Sequence, residues 1–395
     1  MTQPTPSPLI DRARAQAANA RAMAALRDGD APAAILAARE AAQADPEALS
    51  LWINLALACR LGSDAQGERE ALQHALDLDR LDFTAQLRMA QLLQREGEET
   101  KALIAWDGVQ QLAQHFPGLP DPVRAELAAG EAYCAALRER IAAATHAAIA
   151  ADTEVHDETE RRRIAAFAGA ALGERRIYAN ECAGLYYPFL PADEFFDSRH
   201  FPWFAALEAE AGAIRAELDA LLAEPGEALR PYVQMEPGAP ANKWTPLDGS
   251  LDWSACFLWE YGVPNAAVIE RCPNTARVLE SLPLARIPGR APNAFFSMLR
   301  PHSRIPAHTG VTNTRAIIHL ALDVPPGCGF RVGGETRQWV EGKAFAFDDM
   351  IEHEAWNDSD ARRAVLIIDA WNPHLSPREC AAISAYFAAN DAALG

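Results

Sequence analysis

Small residues recur every 34 positions through the first 150 residues, and that period restricts this half of the chain to one kind of architecture. Ala22, Ala56 and Ala90 share one phase, and Gly29, Ser63 and Gly97 a second. Ala37, Ala71 and Ala105 form a third, and Ala41, Ala75 and Val109 a fourth. Small side chains at fixed intervals let antiparallel helices approach closely where they cross and where the chain turns between them. From about Pro8 to Ala150 the sequence is alanine-rich, with apolar residues at helical spacing and few β-branched runs, so it reads as wholly helical. Asp45-Pro46 and, one period later, Asp79 mark the junctions between units. About three helix-turn-helix units are expected, closed by a capping helix near Asp121 to Ile149.

A chain of 395 residues exceeds one ordinary compact domain, and the composition changes where a second should begin. Asp152 to Arg176 is a charged, helix-like stretch with arginines at 161 to 163 and reads as a solvated connector. From Tyr186-Tyr187-Pro188 onward aromatics, prolines and β-branched residues rise. The organisation expected is a repeat domain at 1–150, a helical linker at 151–180 and a second domain at 181–395. In that second domain one helix is expected over Phe204 to Leu222, where Leu207, Ala211, Ile214 and Leu218 share a face. Short apolar runs follow at Cys256 to Trp259, Ala294 to Leu299, Arg315 to Leu322, Gly329 to Val332, Thr336 to Val340, Ala344 to Phe347 and Ala364 to Ala370. Gly333-Gly334 and Pro325-Pro326-Gly327 are turn signals between them. Many short strands with tight turns suggest a β-sandwich or squashed barrel, giving a multidomain α + β chain.

A formal net charge of −18 argues against nucleic acid or an anionic membrane surface as the main partner. Seven cysteines form no CxxC pair and are odd in number, which points away from a zinc site or a disulfide framework and toward reduced thiols. The N-terminus lacks an apolar signal region and no 18-residue apolar run occurs, so a cytoplasmic protein is expected.

The residues that suggest chemistry lie in two segments, Pro306 to Arg315 and Phe347 to Trp356. They hold His308 and His353, 45 residues apart, each at the edge of a strand-like run, with Arg363 ten residues after the second. This pattern suits a β-barrel that holds iron and an oxo-acid cosubstrate.

The strings HTGVTNTR, GCGFRVGGETRQW, EGKAFAFDD, EHEAWNDSD and RRAVLIIDAWNP, in that order, resemble the aspartyl/asparaginyl β-hydroxylase family. The likeness covers about residues 185 to 378 and is densest from 293 to 373. The helical half is similar to tetratricopeptide repeats, which precede such a domain in some members. The resemblance implies a double-stranded β-helix (jelly-roll or cupin-like) barrel with flanking helices. It also implies an Fe(II)- and 2-oxoglutarate-dependent oxygenase that inserts one oxygen atom into a C–H bond.

The resemblance assigns metal ligation to His308 and His353. A usual facial triad adds a carboxylate two residues after the first histidine; this chain has Gly310, as the family does, and either water or chloride could fill that position. Arg363 and Ser297 match the pair that holds the distal carboxylate of 2-oxoglutarate, and His319 matches another residue of the oxo-acid pocket. Arg315 and Trp253 match substrate contacts, while Ile317 stands where animal members place a second arginine. Trp253 is equally readable as core. Arg362 should point away from Arg363 by strand alternation, as should Glu352 and Glu354 from His353. Asp348-Asp349 reads as turn chemistry rather than catalysis. The substrate implied is the β-carbon of an Asp or Asn residue in a peptide or protein, with a protein partner in the repeat groove. The alternatives are a free amino acid or small metabolite as substrate, halogenation in place of hydroxylation, and a non-catalytic binding module.

Overall fold

The computed structural model describes residues 10–152 and 156–394, so the expected helix start at Pro8 and residues 153–155 of the expected linker lie outside the described residues. The chain divides into two compact units, Met1–Val155 and His156–Gly395.

The first unit is a tetratricopeptide-like array of three helical hairpins and a long closing helix. The hairpins are α1 (Arg12–Arg27) with α2 (Ala31–Ala44), α3 (Leu49–Leu61) with α4 (Ala65–Leu78), and α5 (Phe83–Arg95) with α6 (Glu99–Ala113). The closing helix is α7 (Asp121–Asp152). The repeated small residues explain the packing: Ala22, Ala56 and Ala90 on the first helix of each pair are buried, as are Ala41, Ala75 and Val109 on the second. Gly29, Ser63 and Gly97 all take a positive φ, the left-handed turn that ends the first helix of each hairpin. Asp30 and Asp64 then cap the second helix, each carboxylate accepting from a backbone N–H three residues on.

The second unit opens with α8 (Glu158–Ala171), which lies within the stretch expected to be a helical linker at 151–180. Arg162 on α8 donates to Glu335 Oε2 at 2.6 Å and to the Phe195 carbonyl at 2.6 Å, and Thr159 bonds Asp197. The arginine run that read as a solvated face therefore carries one arginine that pins the helix to the strands.

The strands are β1 (Phe195–Phe196), β2 (Arg230–Pro231), β3 (Trp253–Glu260), β4 (Val263–Pro264), β5 (Ala294–Leu299), β6 (Ser303–His308), β7 (Arg315–Asp323), β8 (Cys328–Val332), β9 (Glu335–Arg337), β10 (Ala344–Phe347), β11 (His353–Asn357) and β12 (Arg363–Trp371). They form two antiparallel sheets. The larger has the order β1-β10-β7-β12-β5-β3-β2, with β4 beside β3, and the smaller has the order β6-β11-β8-β9. Among the helices are α9 (Phe204–Ala209), α10 (Ala211–Ala223), α11 (Ala266–Ile269), α12 (Pro273–Ser281) and α13 (Pro377–Leu394). The single helix expected from Phe204 breaks at Glu210, whose N–H bonds Leu207 O three residues back.

Alternation along the larger sheet separates two cores. One face, with Phe296, Met298, Ile318, Leu320, Leu366 and Ile368, packs on Leu207, Ile214, Leu218 and Leu279 of α9, α10 and α12. The other face, with Leu299, Ala321, Phe347 and Val365, meets Ile305, Phe330, Val332 and Ala355 of the smaller sheet. This is the jelly-roll arrangement expected, and it leaves a cavity between the sheets. Gly333-Gly334 joins β8 to β9 as a two-residue hairpin. A strap over residues 181–187 runs beside the cavity mouth, with Ala183 N bonding Gly310 O at 3.1 Å and Asn313 bonding the Tyr187 backbone through both its amide atoms.

Candidate active site

Every residue singled out from the sequence as a ligand, cosubstrate or substrate contact lines one cavity of about 530 Å³ between the two sheets. His308 ends β6 and His353 begins β11, and the two are direct cross-strand partners, with ring centroids 4.1 Å apart. Each imidazole is oriented by its own strand: His308 Nδ1 lies 2.8 Å from Pro306 O, and His353 Nδ1 lies 3.0 Å from Ile351 O. A carbonyl can only accept, so each Nδ1 carries the hydrogen and each Nε2 keeps a free lone pair. Burial pushes His308 down to about 4 and His353 well below the usual imidazole range, leaving both neutral at pH 7. Two neutral imidazoles with free Nε2 atoms are what a divalent metal requires. Among the described residues there is no cluster of three or more His, Cys, Asp or Glu placed to hold a metal. A metal here would rely on the two histidines together with atoms of a bound ligand.

The vacancy at Gly310 has a structural cause. A Cβ built on this residue would collide with the Asp349 carboxylate and with Met350 Cε. Asp349 therefore stands where a residue-310 side chain would project, and its Oδ1 is buried without a hydrogen-bond partner. Burial holds this carboxyl well above the usual range, with Arg315 working in the other direction. Reading the Asp348-Asp349 pair as turn chemistry holds for Asp348, whose Oδ1 accepts from Met350 N at 3.0 Å. It missed Asp349, which lines the cavity. The signal available was the missing Cβ at Gly310, which leaves room for another residue.

Across the cavity, Arg363 is 1% exposed. Its Nη1 donates to Ser297 Oγ at 3.4 Å and to Ser297 O at 3.3 Å, while Nε is buried without a partner. No acidic side chain among the described residues pairs with it. Arg362 points the other way, toward Asp219 and Asp323, as strand alternation requires. Trp253 donates from Nε1 to Ser297 Oγ at 3.1 Å and stacks on Tyr232 with centroids 3.9 Å apart. It is thus both core and cavity wall. Trp339 donates from Nε1 to His319 Nδ1 at 3.3 Å, a contact the sequence reading missed. With Nδ1 accepting, the neutral His319 carries its hydrogen on Nε2. Glu352 and Glu354 both bond Arg331 on the far side of the smaller sheet and leave His353 alone. Arg315 lines the cavity but gives Nη1 to Asp369 Oδ2 at 2.5 Å.

A family model described as Aspartyl/Asparaginyl beta-hydroxylase matches residues 208–373. An ornithine lipid ester-linked acyl 2-hydroxylase of Rhizobium tropici is 35% identical over 200 residues, covering 50% of this chain and 67% of that protein. The human aspartyl/asparaginyl beta-hydroxylase is 38% identical over 129 residues, which is 32% of this chain and 17% of that protein. Among solved structures, the TPR2B domain of yeast Sti1 in its pHsp70 complex matches 32% of this chain at 16% identity, with a TM-score of 0.28.

Proposed function

The chain belongs to the aspartyl/asparaginyl β-hydroxylase family, and from that premise we propose that it is an Fe(II)- and 2-oxoglutarate-dependent dioxygenase that hydroxylates a C–H bond. The observation that carries this reading is Arg363, a buried guanidinium beside a serine hydroxyl with no acidic partner. Such a group calls for an anion from outside, and a carboxylate answers both donors at once. The two imidazoles of His308 and His353, 4.1 Å apart by centroid and both neutral, supply the metal side of the same cavity.

Iron and the oxo-acid, when bound, convert the substrate C–H and dioxygen to C–OH while 2-oxoglutarate becomes succinate and CO2. The chain's own part is placement. His308 and His353 present Nε2 lone pairs, with Nδ1 of each locked on a carbonyl. Arg363 and Ser297 receive the distal carboxylate, and His319 offers an Nε2 hydrogen to the oxo-acid, held in that tautomer by Trp339. Asp349 fills the space next to Gly310 with its own side chain, space a halide would need, which supports hydroxylation over halogenation.

An aspartyl or asparaginyl β-position is the target named by one relative, and a lipid acyl group by another. The helical repeats support a peptide or protein partner for the first unit. Seven free cysteines suit a reducing compartment, and we place the protein in the cytoplasm. Among the described residues no helix is long and apolar enough to cross a membrane.

Anaerobic absorption spectroscopy tests the reading without knowledge of the substrate. A metal-to-ligand charge-transfer band that needs both Fe(II) and 2-oxoglutarate, and is lost in His308→Ala, is expected. Its absence from folded wild-type protein would leave a hydroxylase fold without hydroxylase chemistry.

A further inference from the structure

The cavity is lined by three arginines, Arg230, Arg315 and Arg363, and three carboxylates, Glu260, Asp349 and Asp369. Their pairing decides what else can enter. Arg230 pairs with Glu260 at the mouth. Arg315 pairs with Asp369, whose side chain is 4% exposed. Asp369 Oδ2 is further satisfied by the backbone and side-chain N–H groups of Asn293, at 3.0 and 2.9 Å. Arg363 is reserved for the cosubstrate. That leaves Asp349, a buried carboxyl that offers no positive charge.

A substrate carboxylate in this space would therefore meet no unpaired guanidinium and would lie beside the carboxyl groups of Asp349 and Asp369. Desolvation without a counter-charge makes that unfavourable. The residue that could have reversed the balance is Ile317. It sits two positions after Arg315 on β7, on the same face, and opposite Phe347 on β10 and Asp369 on β12. Beyond Arg315 and Asp369 the wall is apolar. Ile367 on β12 pairs across to Phe295 on β5, which pairs across to Phe257 on β3. Phe257 and Phe295 stack at 4.7 Å, and Tyr232 stacks on Phe295 at 5.5 Å. The result is a continuous hydrophobic strip from the mouth to the edge of the oxo-acid pocket.

We propose, resting on the hydroxylase reading above, that the substrate group admitted to this strip is an uncharged aliphatic one, an acyl chain or an aliphatic side chain, and not the carboxylate side chain of aspartate. Ile317 and the Arg315–Asp369 pair set that choice. Ile317 contributes apolar surface, while Asp369 neutralises Arg315 beside it.

The test uses the full-length protein with and without Fe(II) and 2-oxoglutarate under anaerobic conditions, and four probes: octanoyl amide, N-acetyl-leucine amide, N-acetyl-aspartate amide and N-acetyl-asparagine amide. Trp244 and Trp253 line the cavity, so tryptophan fluorescence reports entry directly. An aliphatic probe is expected to bind at least tenfold more tightly than either polar probe. Whichever aliphatic probe leads identifies acyl chain or side chain as the source. Ile317→Arg should bring the aspartate probe to equal or tighter binding, and Asp369→Asn, which preserves the shape and releases Arg315, should strengthen it severalfold. Tighter binding of the aspartate probe by wild-type protein overturns the proposal, as does an unchanged order of probes in both variants when folded. The charge-transfer band recorded on the same samples separates the two ideas. Loss of the band with the fluorescence order intact would remove the hydroxylase reading and keep the cavity preference; a band with the order reversed would do the opposite.

Discussion

Arg363 Nη1 donates to both the hydroxyl and the carbonyl oxygen of Ser297, at 3.4 and 3.3 Å, while its Nε finds no acceptor at all. Burial alone pushes this guanidinium down to about 10. A buried charge with only neutral partners works against the ligand-free fold, since its desolvation is not offset by a counter-ion. Trp339, with its ring centroid 5.0 Å from the guanidinium carbon, offsets part of that.

Arg363→Met should therefore raise the stability of the ligand-free protein by about 1–3 kcal/mol, because a neutral side chain of similar length fills the space without the desolvation penalty. The same variant should lose the stabilisation that 2-oxoglutarate gives the metal-loaded wild type, about 2.7 kcal/mol at a hundredfold excess over Kd. Scanning calorimetry with and without the oxo-acid checks both signs. A variant that is less stable when empty, yet still stabilised by the ligand, would show that Arg363 is structural.

The contact between Gly310 and Asp349 predicts a second, coupled effect. Gly310→Ala should destabilise by about 1–3 kcal/mol, because the added methyl enters space held by the Asp349 carboxylate and Met350 Cε. Combining it with Asp349→Ala should restore most of that loss, giving a coupling of about 0.5–3 kcal/mol in a double-mutant cycle measured by urea unfolding. Additive losses would mean that the two side chains do not compete for the same space.

Asp348 gives a pH prediction of definite sign. Its Oδ2 accepts from Asn180 at 2.5 Å, yet burial raises the carboxyl from 3.8 to about 6. The folded state therefore binds the proton more tightly than the unfolded chain. This group's contribution is fully present below pH 3.8 and is lost as pH rises through about 6. Asp348→Asn keeps the shape and removes the ionisation. Relative to wild type it should gain stability across that window, by up to about 3 kcal/mol above pH 6, and the gain should vanish toward pH 4. A difference independent of pH would assign the effect to hydrogen bonding.

What the sequence disclosed, and what it hid, follows from the range of the interactions involved. The repeat was legible because a 34-residue period is written in small residues whose role is local, and Gly29, Ser63 and Gly97 all adopt the positive φ their phase demands. Strands β3, β5, β7 and β12 of the larger sheet were legible because both of their faces are largely buried and they read as apolar runs, whereas the two-residue strands β1, β2 and β4 were not. Strands β6 and β11, which carry the two histidines, were not recognised as runs, since SRIPAH and HEAWN mix polar, charged and apolar residues. Their histidines came from motif resemblance. Asp349 and Trp339 were missed because each acts on a residue distant in sequence, and pairing across the cavity leaves no periodic trace. Arg162 was misread for a similar reason, since its partner Glu335 lies 173 residues away.

That last pairing fixes where the catalytic unit begins. A chain starting at His156 keeps α8 and the three groups Arg162 meets: Glu335, the Phe195 carbonyl and Asp193. A chain starting at residue 181 removes the arginine and leaves a half-buried carboxylate on β9 and a strand carbonyl without their charged donor. Hydrogen bonds to charged groups contribute about 1.5–3 kcal/mol each, Arg337 still holds Glu335 at 2.7 Å, and the bonds of Thr159, Arg175 and Asn180 to Asp197, Glu194 and Asp348 go as well, so the net loss should be at least about 2–3 kcal/mol. For a unit of this size that corresponds to a fall in Tm on the order of 5–10 °C. The 156–395 protein should unfold in one cooperative transition and give the same Fe(II)/2-oxoglutarate band as the full chain. Equal Tm values for the two truncations would place α8 outside the catalytic unit and return the boundary to residue 180.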